Sequence, residues 1–399
     1  MLTKEELVRY ADVLLWGLKT ARKRKFKKYD VVAIRYHQPA RLLAETLYTK
    51  LLQLGLNPVQ RALETPAMEK SFYTHATARQ LKYVSPGEES LYRSLNGSIM
   101  LYAPESLTHL GDVDPKKIGN AVVARKYLRD VLDEREDKGF FSWTLCLFPT
   151  IALARHARMS LKSYSRQVAA ACLLNQPDPV KTWQDIHAKI HAVKKWLNQL
   201  PVQKLQVDSK NIDLSITPGK KRKWLGLSGR NIPSFEVFIS PDWRGTKGVY
   251  YADQPSFRNG NLVSGVRLEF KKGSVVNIQA RKGNDFVRSQ LNMDNGARRL
   301  GEFSLTDRRF SRISAFMANT LYDENFGGRE GNCHVALGSS YSDSYAGKTT
   351  DLDESIKKEL GFNQSALHWD LVNTEKKRVI AHLKGGGEIT IYENGEFTI

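Results

Sequence analysis

The second half of this 399-residue chain carries side chains that could bind divalent metal ions. They are two histidines, three carboxylates and a tyrosine: Glu236, Glu302, His334, Tyr341, His368 and Asp370. Histidine nitrogen and carboxylate oxygen are common ligands of divalent ions. A site with this many carboxylates can hold two ions, and two ions can share an attacking water. The set therefore indicates metal-assisted hydrolysis if its segments meet in space.

The local sequence around these residues has both a functional and an ordinary interpretation. Glu236 lies in the apolar run 235–239, where a carboxylate is costly to bury unless it is paired or bound to metal. His368 and Asp370 are two residues apart, so on a strand both would point to the same face and could bind one ion. A solvent-facing Glu, a hydrogen-bonded core His and a chance pair are the ordinary alternatives. Spacing alone does not choose between them.

Strands alternate with helices in the first half of the chain. Apolar residues at helical spacing predict a helix over residues 4–25, and the β-branched run 30–36 predicts a buried strand after it. Similar patterns continue to a strand predicted over 140–148. The alternation predicts right-handed βαβ crossovers and a mostly parallel sheet covered on both faces. No glycine-rich phosphate loop follows these strands, so we do not expect a nucleotide site in this half.

The sequence becomes β-rich after residue 203, with glycine turns between short strand-like segments. A helix is predicted over 284–299, and Asn394–Gly395 between alternating residues predicts a hairpin at the C-terminus. We therefore predict an α/β domain over residues 1–205. A β-rich α+β domain over residues 206–399 is predicted to carry the metal site.

The formal net charge is +19, from 61 Lys and Arg against 42 Asp and Glu. The densest basic runs, 22–28 and 220–223, are expected to be a solvated helix C-terminus, where cations are favoured, and a solvated loop. No nucleic-acid fold signature accompanies the charge, which argues against nucleic acid as a partner. A non-catalytic basic protein that binds nucleic acid or another anionic partner is nevertheless the competing hypothesis. It predicts affinity that falls steeply with salt.

Other features of the sequence bear on where the protein works. No apolar run reaches the roughly 18 residues of a transmembrane helix, and the N-terminus lacks the apolar core of a signal peptide. The three cysteines are scattered and odd in number, which favours a reducing, cytoplasmic setting. His187 and His191 are four residues apart on a predicted helix, but the Glu of an HExxH motif is absent. We expect that pair at the surface.

Five motifs in order resemble the M29 family of metallo-aminopeptidases, the group of aminopeptidase T and aminopeptidase S. They are residues 231–238, 296–302, 319–325, 334–341 and 368–370. The ending 394–396 and looser likenesses in the first half extend the resemblance over nearly the whole chain. The link 326–333, which contains the glycine-rich stretch 327–331, is longer than the resembled pattern. That departure bears on substrate preference more than on chemistry.

The resemblance implies an enzyme that releases N-terminal amino acids from peptides with a free N-terminus, and it implies a homodimer. The implied metal ligands are Glu236, Glu302, His334, His368 and Asp370, and the implied active-site tyrosine is Tyr341. Two ions of zinc, cobalt or manganese would suit these ligands. Glu302 is the natural bridge between them, and Tyr341 could donate a hydrogen bond to the developing oxyanion. Either Glu236 or Glu324 could accept the proton of the water.

Overall fold

The computed structural model of the protein describes residues 1–258 and 260–399. Contacts within these residues divide them into two compact units. The first unit is Met1–Trp183 with Ser228–Pro233, and the second is Gln184–Leu227 with Ser234–Ile399. A division by contacts shows which residues pack together, but it does not show which segments fold independently. The predicted boundary at 205/206 therefore stays a prediction, which limited proteolysis can test.

Helices are concentrated in the first unit and strands in the second. The α-helices are α1 (Lys4–Thr20), α2 (Arg41–Gln53), α3 (Pro66–His75), α4 (Ala78–Leu81), α5 (Glu88–Ser94), α6 (Pro115–Ala124), α7 (Lys126–Asp137), α8 (Ile151–His156), α9 (Leu161–Ala171), α10 (Pro179–Gln199), α11 (Asn284–Leu291), α12 (Thr320–Asp323) and α13 (Glu354–Leu360). The β-strands are β1 (Val31–Tyr36), β2 (Asn57–Ala62), β3 (Leu95–Tyr102), β4 (Ser142–Leu147), β5 (Val202–Ser209), β6 (Asp213–Thr217), β7 (Leu225–Gly226), β8 (Asn231–Ile232), β9 (Glu236–Ile239), β10 (Asp242–Ala252), β11 (Ser256–Arg258), β12 (Asn261–Lys271), β13 (Ser274–Lys282), β14 (Leu300–Thr306), β15 (Asn332–Gly338), β16 (His368–Asn373), β17 (Lys377–Leu383), β18 (Glu388–Glu393) and β19 (Glu396–Phe397). In the described part of the chain, every helix falls short of the length or apolar character that crossing a membrane requires.

The first unit contains a parallel sheet in the order β2-β1-β3-β4-β8. Val32, Ala33 and Ile34 of β1 are buried on both faces, as expected for an inner strand of a parallel sheet. Thr3 caps helix α1: its hydroxyl accepts a hydrogen bond from the Glu6 N–H, and the Glu6 carboxylate accepts one from the Thr3 N–H. The parallel sheet with helices that the alternation predicted is confirmed.

Some predicted helices are shorter than their apolar spacing suggested. The helix predicted over 4–25 ends at Thr20, and Arg22 then turns inward to donate to the Asn96 carbonyl and the Asp30 carboxylate. The helix predicted over 284–299 ends at Leu291. The Asp294 carboxylate accepts hydrogen bonds from backbone N–H groups two and three residues later, an alternative to helical bonding.

The basic runs are only partly solvated. The Arg22 side chain is 3% exposed, and its guanidinium lies 4.0 Å from the centre of the Phe26 ring. Arg222 donates to the carbonyls of Ser240 and Leu360, and its guanidinium lies 3.4 Å from the centre of the Phe362 ring. Most other residues of the two runs are exposed, as expected. The expectation of solvation is wrong for Arg22 and Arg222, because each donates to backbone carbonyl oxygen and covers an aromatic ring.

The second unit is built from antiparallel sheets. One has the order β11-β12-β10-β6-β5-β17-β18-β19, with β13 paired to β12, and the other has the order β16-β15-β14-β9-β7. The predicted C-terminal hairpin is confirmed, and Asn394 and Gly395 both have positive φ, as the tight turn requires. Strands β14 and β15 are buried at every residue. Polar side chains on them must therefore pair with each other or with a ligand.

Tyr250 on β10 connects the two sheets of the second unit. Its buried hydroxyl lies 2.7 Å from the Leu371 carbonyl oxygen and 3.2 Å from the Cys333 carbonyl oxygen. Replacing Tyr250 by Phe removes this donor, so we expect the free energy of unfolding to fall by about 1–3 kcal/mol. Urea denaturation measures the change, with the exposed Tyr48→Phe as the control. Equal stability of both variants would contradict the expectation.

Candidate metal centre

The candidate site lies on one face of the sheet β16-β15-β14-β9-β7. Side chains alternate between the two faces along a strand, and residues paired across neighbouring strands point to the same face. In these strands the even-numbered residues are paired with one another, so their side chains share one face. The cross-strand pairs are Glu302 with Ala336, Asp370 with Ala336, His334 with Ser304, and Glu236 with Thr306. This register brings the segments around residues 236, 302, 334 and 368 together.

His334 lies at the centre of the cluster. Its Nε2 atom is 3.1 Å from Oε1 of Glu302, 3.4 Å from Oε2 of Glu236 and 3.9 Å from Oδ1 of Asp370. One ligand atom each from Glu236, Glu302 and His334 lies within 4.8 Å of the others, and all three residues are buried. Atoms that share one zinc ion, each about 2 Å from it, stand at similar separations.

His368 faces the other oxygen of Glu302 and the carboxylate of Asp370. Its Nε2 atom is 3.5 Å from Oδ1 of Asp370 and 3.8 Å from Oε2 of Glu302. Its Nδ1 atom is 2.9 Å from the Ser339 carbonyl oxygen, which only accepts, so Nδ1 carries the proton and Nε2 faces the carboxylates. The two oxygens of Glu302 therefore face different histidines.

Tyr341 stands at the exposed side of the cluster. The residue is 46% exposed, and its ring centre is 4.8 Å from that of His368 and 5.7 Å from that of Phe238. Its backbone N–H donates to the Ser240 hydroxyl at 2.8 Å. Although nearly half of the residue is exposed, surrounding protein desolvates the phenol, and this desolvation followed by the negative charge of Glu302 raises its pKa. The hydroxyl is therefore a proton donor throughout the neutral range.

Glu324, one of the two residues that could accept a proton, is buried near the same carboxylates. Its pKa is raised well above the ordinary value, first by burial and then by the charge of Glu236. The neighbouring Asp323 has a different role, because its carboxylate accepts the backbone N–H groups of Met317 and Asn319 at 2.7 and 2.9 Å. It fixes the chain that carries Glu324.

Sequence reasoning missed two supporting residues. Ser304 donates from its hydroxyl to Oε2 of Glu236 at 3.3 Å, and it shares the face of Glu302 because the two are two apart on β14. That alternation was a usable signal. Arg258 donates to the His368 carbonyl at 2.9 Å, and its guanidinium lies 5.7 Å from the centre of the Trp369 ring. No sequence signal connected Arg258 to β16.

The electrostatics of the cluster fit a bound cation. Burial raises the pKa of Glu236 to about 8, and the charge of Glu302 acts in the same direction. Burial alone would lower the pKa of His334, but the hydrogen bond with Glu302 and the charge of Glu236 outweigh it and raise the pKa to about 9. Buried carboxylates this close cannot all ionise without a compensating positive charge. The donor types, burial and separations therefore suit divalent metal.

Zinc affinity is expected to rise with pH between about pH 6 and pH 9, because ligands must lose their protons to bind metal. In the metal-free protein Glu236 has a raised pKa of about 8, and His334 and His368 have raised pKa values of about 9. Raised values mean that these groups hold protons near neutral pH, so zinc would displace protons if these groups are its ligands. Calorimetry in two buffers of different ionisation enthalpy measures the release. Binding without proton release would contradict this expectation.

Comparison with known proteins identifies the class. The chain belongs to the thermophilic metalloprotease family (M29), whose family model matches residues 3–397. The resemblance seen in the motifs is thereby confirmed. A metalloprotease family implies divalent metal ions, and it leaves the competing hypothesis of a non-catalytic basic protein without support.

The individual relatives have low sequence identity to this chain. The chain is 29% identical over 245 residues to aminopeptidase PepS of Streptococcus thermophilus, with 58% of each chain covered. It is 27% identical over 269 residues to aminopeptidase T of Thermus aquaticus, covering 64% of this chain and 63% of the relative. The matches thus span less than two thirds of these relatives. Wild-type AmpT from Thermus thermophilus has the same fold, with a TM-score of 0.82, 21% identity, and coverage of 99% of this chain and 100% of that chain.

Proposed function

We propose that this protein is a metal-dependent aminopeptidase that releases N-terminal amino acids from peptides. The observation that carries the proposal is the meeting of two imidazoles and three carboxylates on one sheet face, with Nε2 of His334 within 3.9 Å of all three carboxylates. The family of metalloproteases and relatives named aminopeptidase T and PepS support it. Peptides with a free N-terminus are the proposed substrates.

Two divalent ions of zinc, cobalt or manganese are the proposed cofactors. Their proposed ligands are Glu236, Glu302, His334, His368 and Asp370. Glu302 would help to hold both ions, because its Oε1 and Oε2 atoms face His334 and His368 respectively. When bound, the ions would polarise the scissile carbonyl and lower the pKa of a water molecule that they share.

Glu324 is the proposed acceptor of the proton of that water. Glu236 is already engaged within the cluster, because its Oε2 atom accepts a hydrogen bond from the Ser304 hydroxyl and lies 3.4 Å from Nε2 of His334. Glu324 is buried close enough to Glu236 for that carboxylate's charge to raise its pKa. The raised pKa suits a group that takes up a proton and then gives it to the leaving amine. Sequence alone left these two glutamates undecided.

Tyr341 is proposed to stabilise the developing oxyanion. Its raised pKa keeps the phenol protonated, and a neutral hydroxyl aimed at developing charge stabilises the transition state more than the ground state. The ring lies against His368, which fixes its position relative to the cluster.

A homodimer and a cytoplasmic setting complete the proposal. The homodimer is carried over from the resemblance, and sedimentation equilibrium would test it. The cytoplasmic setting is supported by the cysteines, which are free and buried. Recovery of activity in the membrane-free lysate of the native host would test that setting.

Hydrolysis of leucine p-nitroanilide and short peptides tests the activity. Chelator should abolish release of the amino acid, and added zinc or cobalt should restore it. A third possibility, hydrolysis of a non-peptide amide, is separated by a panel of such amides. A fully metal-loaded sample that cleaves no N-terminal residue would overturn the aminopeptidase proposal.

Replacing His368 by Ala is expected to lower metal affinity and activity together, at least about a hundredfold. The side chain is 26% exposed, so its removal leaves little buried space and the chain should stay folded. His382→Ala is the matched control, because that histidine is 34% exposed and pairs with Glu388 instead. Retained metal with lost activity would reject the ligand role of His368.

A further inference from the structure

A cleft lined by cationic side chains lies at the end of α10. Residues of α10 and of the segment 223–225 line an open cleft of about 490 Å³, a volume within the roughly 300–1,000 Å³ typical of small-molecule sites. Its lining includes His191, Lys194, Lys195 and Lys223. Among the described residues that line it, none is acidic.

The walls of the cleft are held by specific hydrogen bonds. Asn198 accepts from the Trp224 N–H at 2.8 Å and donates to the Trp224 carbonyl at 3.4 Å. The Lys223 N–H donates to the Ser344 carbonyl, and the Ser344 hydroxyl donates to the Lys223 carbonyl, both at 2.9 Å. These bonds fix the backbone of Lys223 at the cleft and leave its side chain available.

The described residues that line the cleft offer no carboxylate to its cations. Lys194 donates to the Gly226 carbonyl at 3.2 Å, and burial lowers its pKa with no carboxylate opposing the shift in the described part of the chain. Within residues 1–258 and 260–399, neither Lys195 nor Lys223 takes part in an ion pair. Lys195 is exposed, whereas Lys194 and Lys223 are half-buried. A half-buried cation without a counter-charge gains from a bound anion.

The ordinary explanation for these lysines is incomplete. Cations are favoured near a helix C-terminus, which accounts for Lys194 and Lys195 on α10. It does not account for Lys223, which comes from a separate segment and faces the same cleft. Lysines from two segments and a histidine around one cavity resemble a binding site more than a helix end.

We propose that this cleft binds a small ligand through a phosphate group. Three ammonium groups and an imidazole offer donors to several oxygens at once, which suits a phosphoryl group with about two negative charges better than a single carboxylate. The cavity has room beyond one phosphate, so the phosphate belongs either to free phosphate or to a phosphate ester. The site is independent of the proposed peptidase activity.

Calorimetric titration of the metal-loaded full chain with inorganic phosphate and with glycerol phosphate tests the proposal and separates the two sources. The variant Lys195→Gln/Lys223→Gln removes two unpaired cations and keeps the Lys194–Gly226 bond. We expect its affinity for the bound probe to fall roughly tenfold to a hundredfold. Lys25→Gln/Lys189→Gln makes the same charge change at exposed positions outside the cleft, and its affinity should stay within about twofold of the unmodified chain.

Hydrogen exchange locates the site without relying on a variant. Saturating glycerol phosphate or phosphate should protect amides in 191–199 and 223–226. Protection elsewhere, equal weakening in both variants, or no binding of either probe would overturn the proposal. Binding that the Lys195→Gln/Lys223→Gln variant leaves unchanged would place the anion at another site, such as the metal centre, and would also overturn it.

Discussion

Replacing Glu302 by Gln is expected to abolish peptide hydrolysis and to weaken metal binding at least about a hundredfold. Glu302 is 3% exposed, and its two oxygens lie 3.1 Å from His334 and 3.8 Å from His368. Glutamine keeps the volume of the side chain but replaces one oxygen by an amide group that donates hydrogen bonds and cannot bind a cation. Because Glu302 would help to hold both proposed ions, the effect of losing its carboxylate should exceed that of His368→Ala.

Metal content by mass spectrometry and kcat/KM on leucine p-nitroanilide measure this effect, with circular dichroism to confirm folding. The fold should persist, because the substitution removes one of several mutually repelling buried carboxylates. Glu269→Gln on β12 is the matched control, since that carboxylate is 35% exposed and pairs with Lys271. A Glu302→Gln enzyme that keeps its metal and activity within about tenfold of the unmodified protein would remove Glu302 from the centre.

Alternation along strands made part of the site predictable. His368 and Asp370 were expected on one face because they are two apart, and both now contact the cluster through their Nε2 and Oδ1 atoms. The same rule applied to β14 would have placed the side chains of Ser304 and Glu302 on the same face. A period of two residues is local, so it can be read from the sequence.

The order of the strands could not be predicted in this way. Glu236, Glu302 and His334 come from β9, β14 and β15, which are adjacent in space but separated by long stretches of chain. Such pairing depends on the packing of the whole unit rather than on local preference. The resemblance to a known family, rather than the pattern of residues, supplied the expectation that these segments meet.

Helix ends and charged runs were predicted less well for a related reason. Arg22 belongs to a run that looks solvated, yet its side chain is buried because the Asn96 carbonyl and the Asp30 carboxylate lie within its reach. Arg222 is held in the same manner. Composition gives the number of charges but not the acceptors that surround each one, and those are set by tertiary structure.

Replacing Glu324 by Gln is expected to lower kcat by roughly 10² to 10⁴ while metal content stays unchanged. Glu324 is not one of the proposed metal ligands. The amide of the Gln variant should therefore prevent only the proton transfer and leave metal binding intact. Its burial at 9% exposure and the neighbouring charge of Glu236 raise its pKa, as proton exchange with a water and a leaving amine requires. Steady-state kinetics and metal analysis on the same sample measure both quantities, with the exposed Glu359→Gln as the control.

Glu236→Gln separates the two glutamates, because it should lose metal as well as activity. Glu236 lies 3.4 Å from Nε2 of His334 and accepts from Ser304, so an amide there would disturb the proposed ligand set directly. If Glu236→Gln instead kept its metal and lost only kcat, the two roles would be exchanged. If both variants lost metal, Glu324 would be a ligand, and the proton would have to pass to another group. The pair of variants thus assigns the proton acceptor by metal content, which activity alone cannot do.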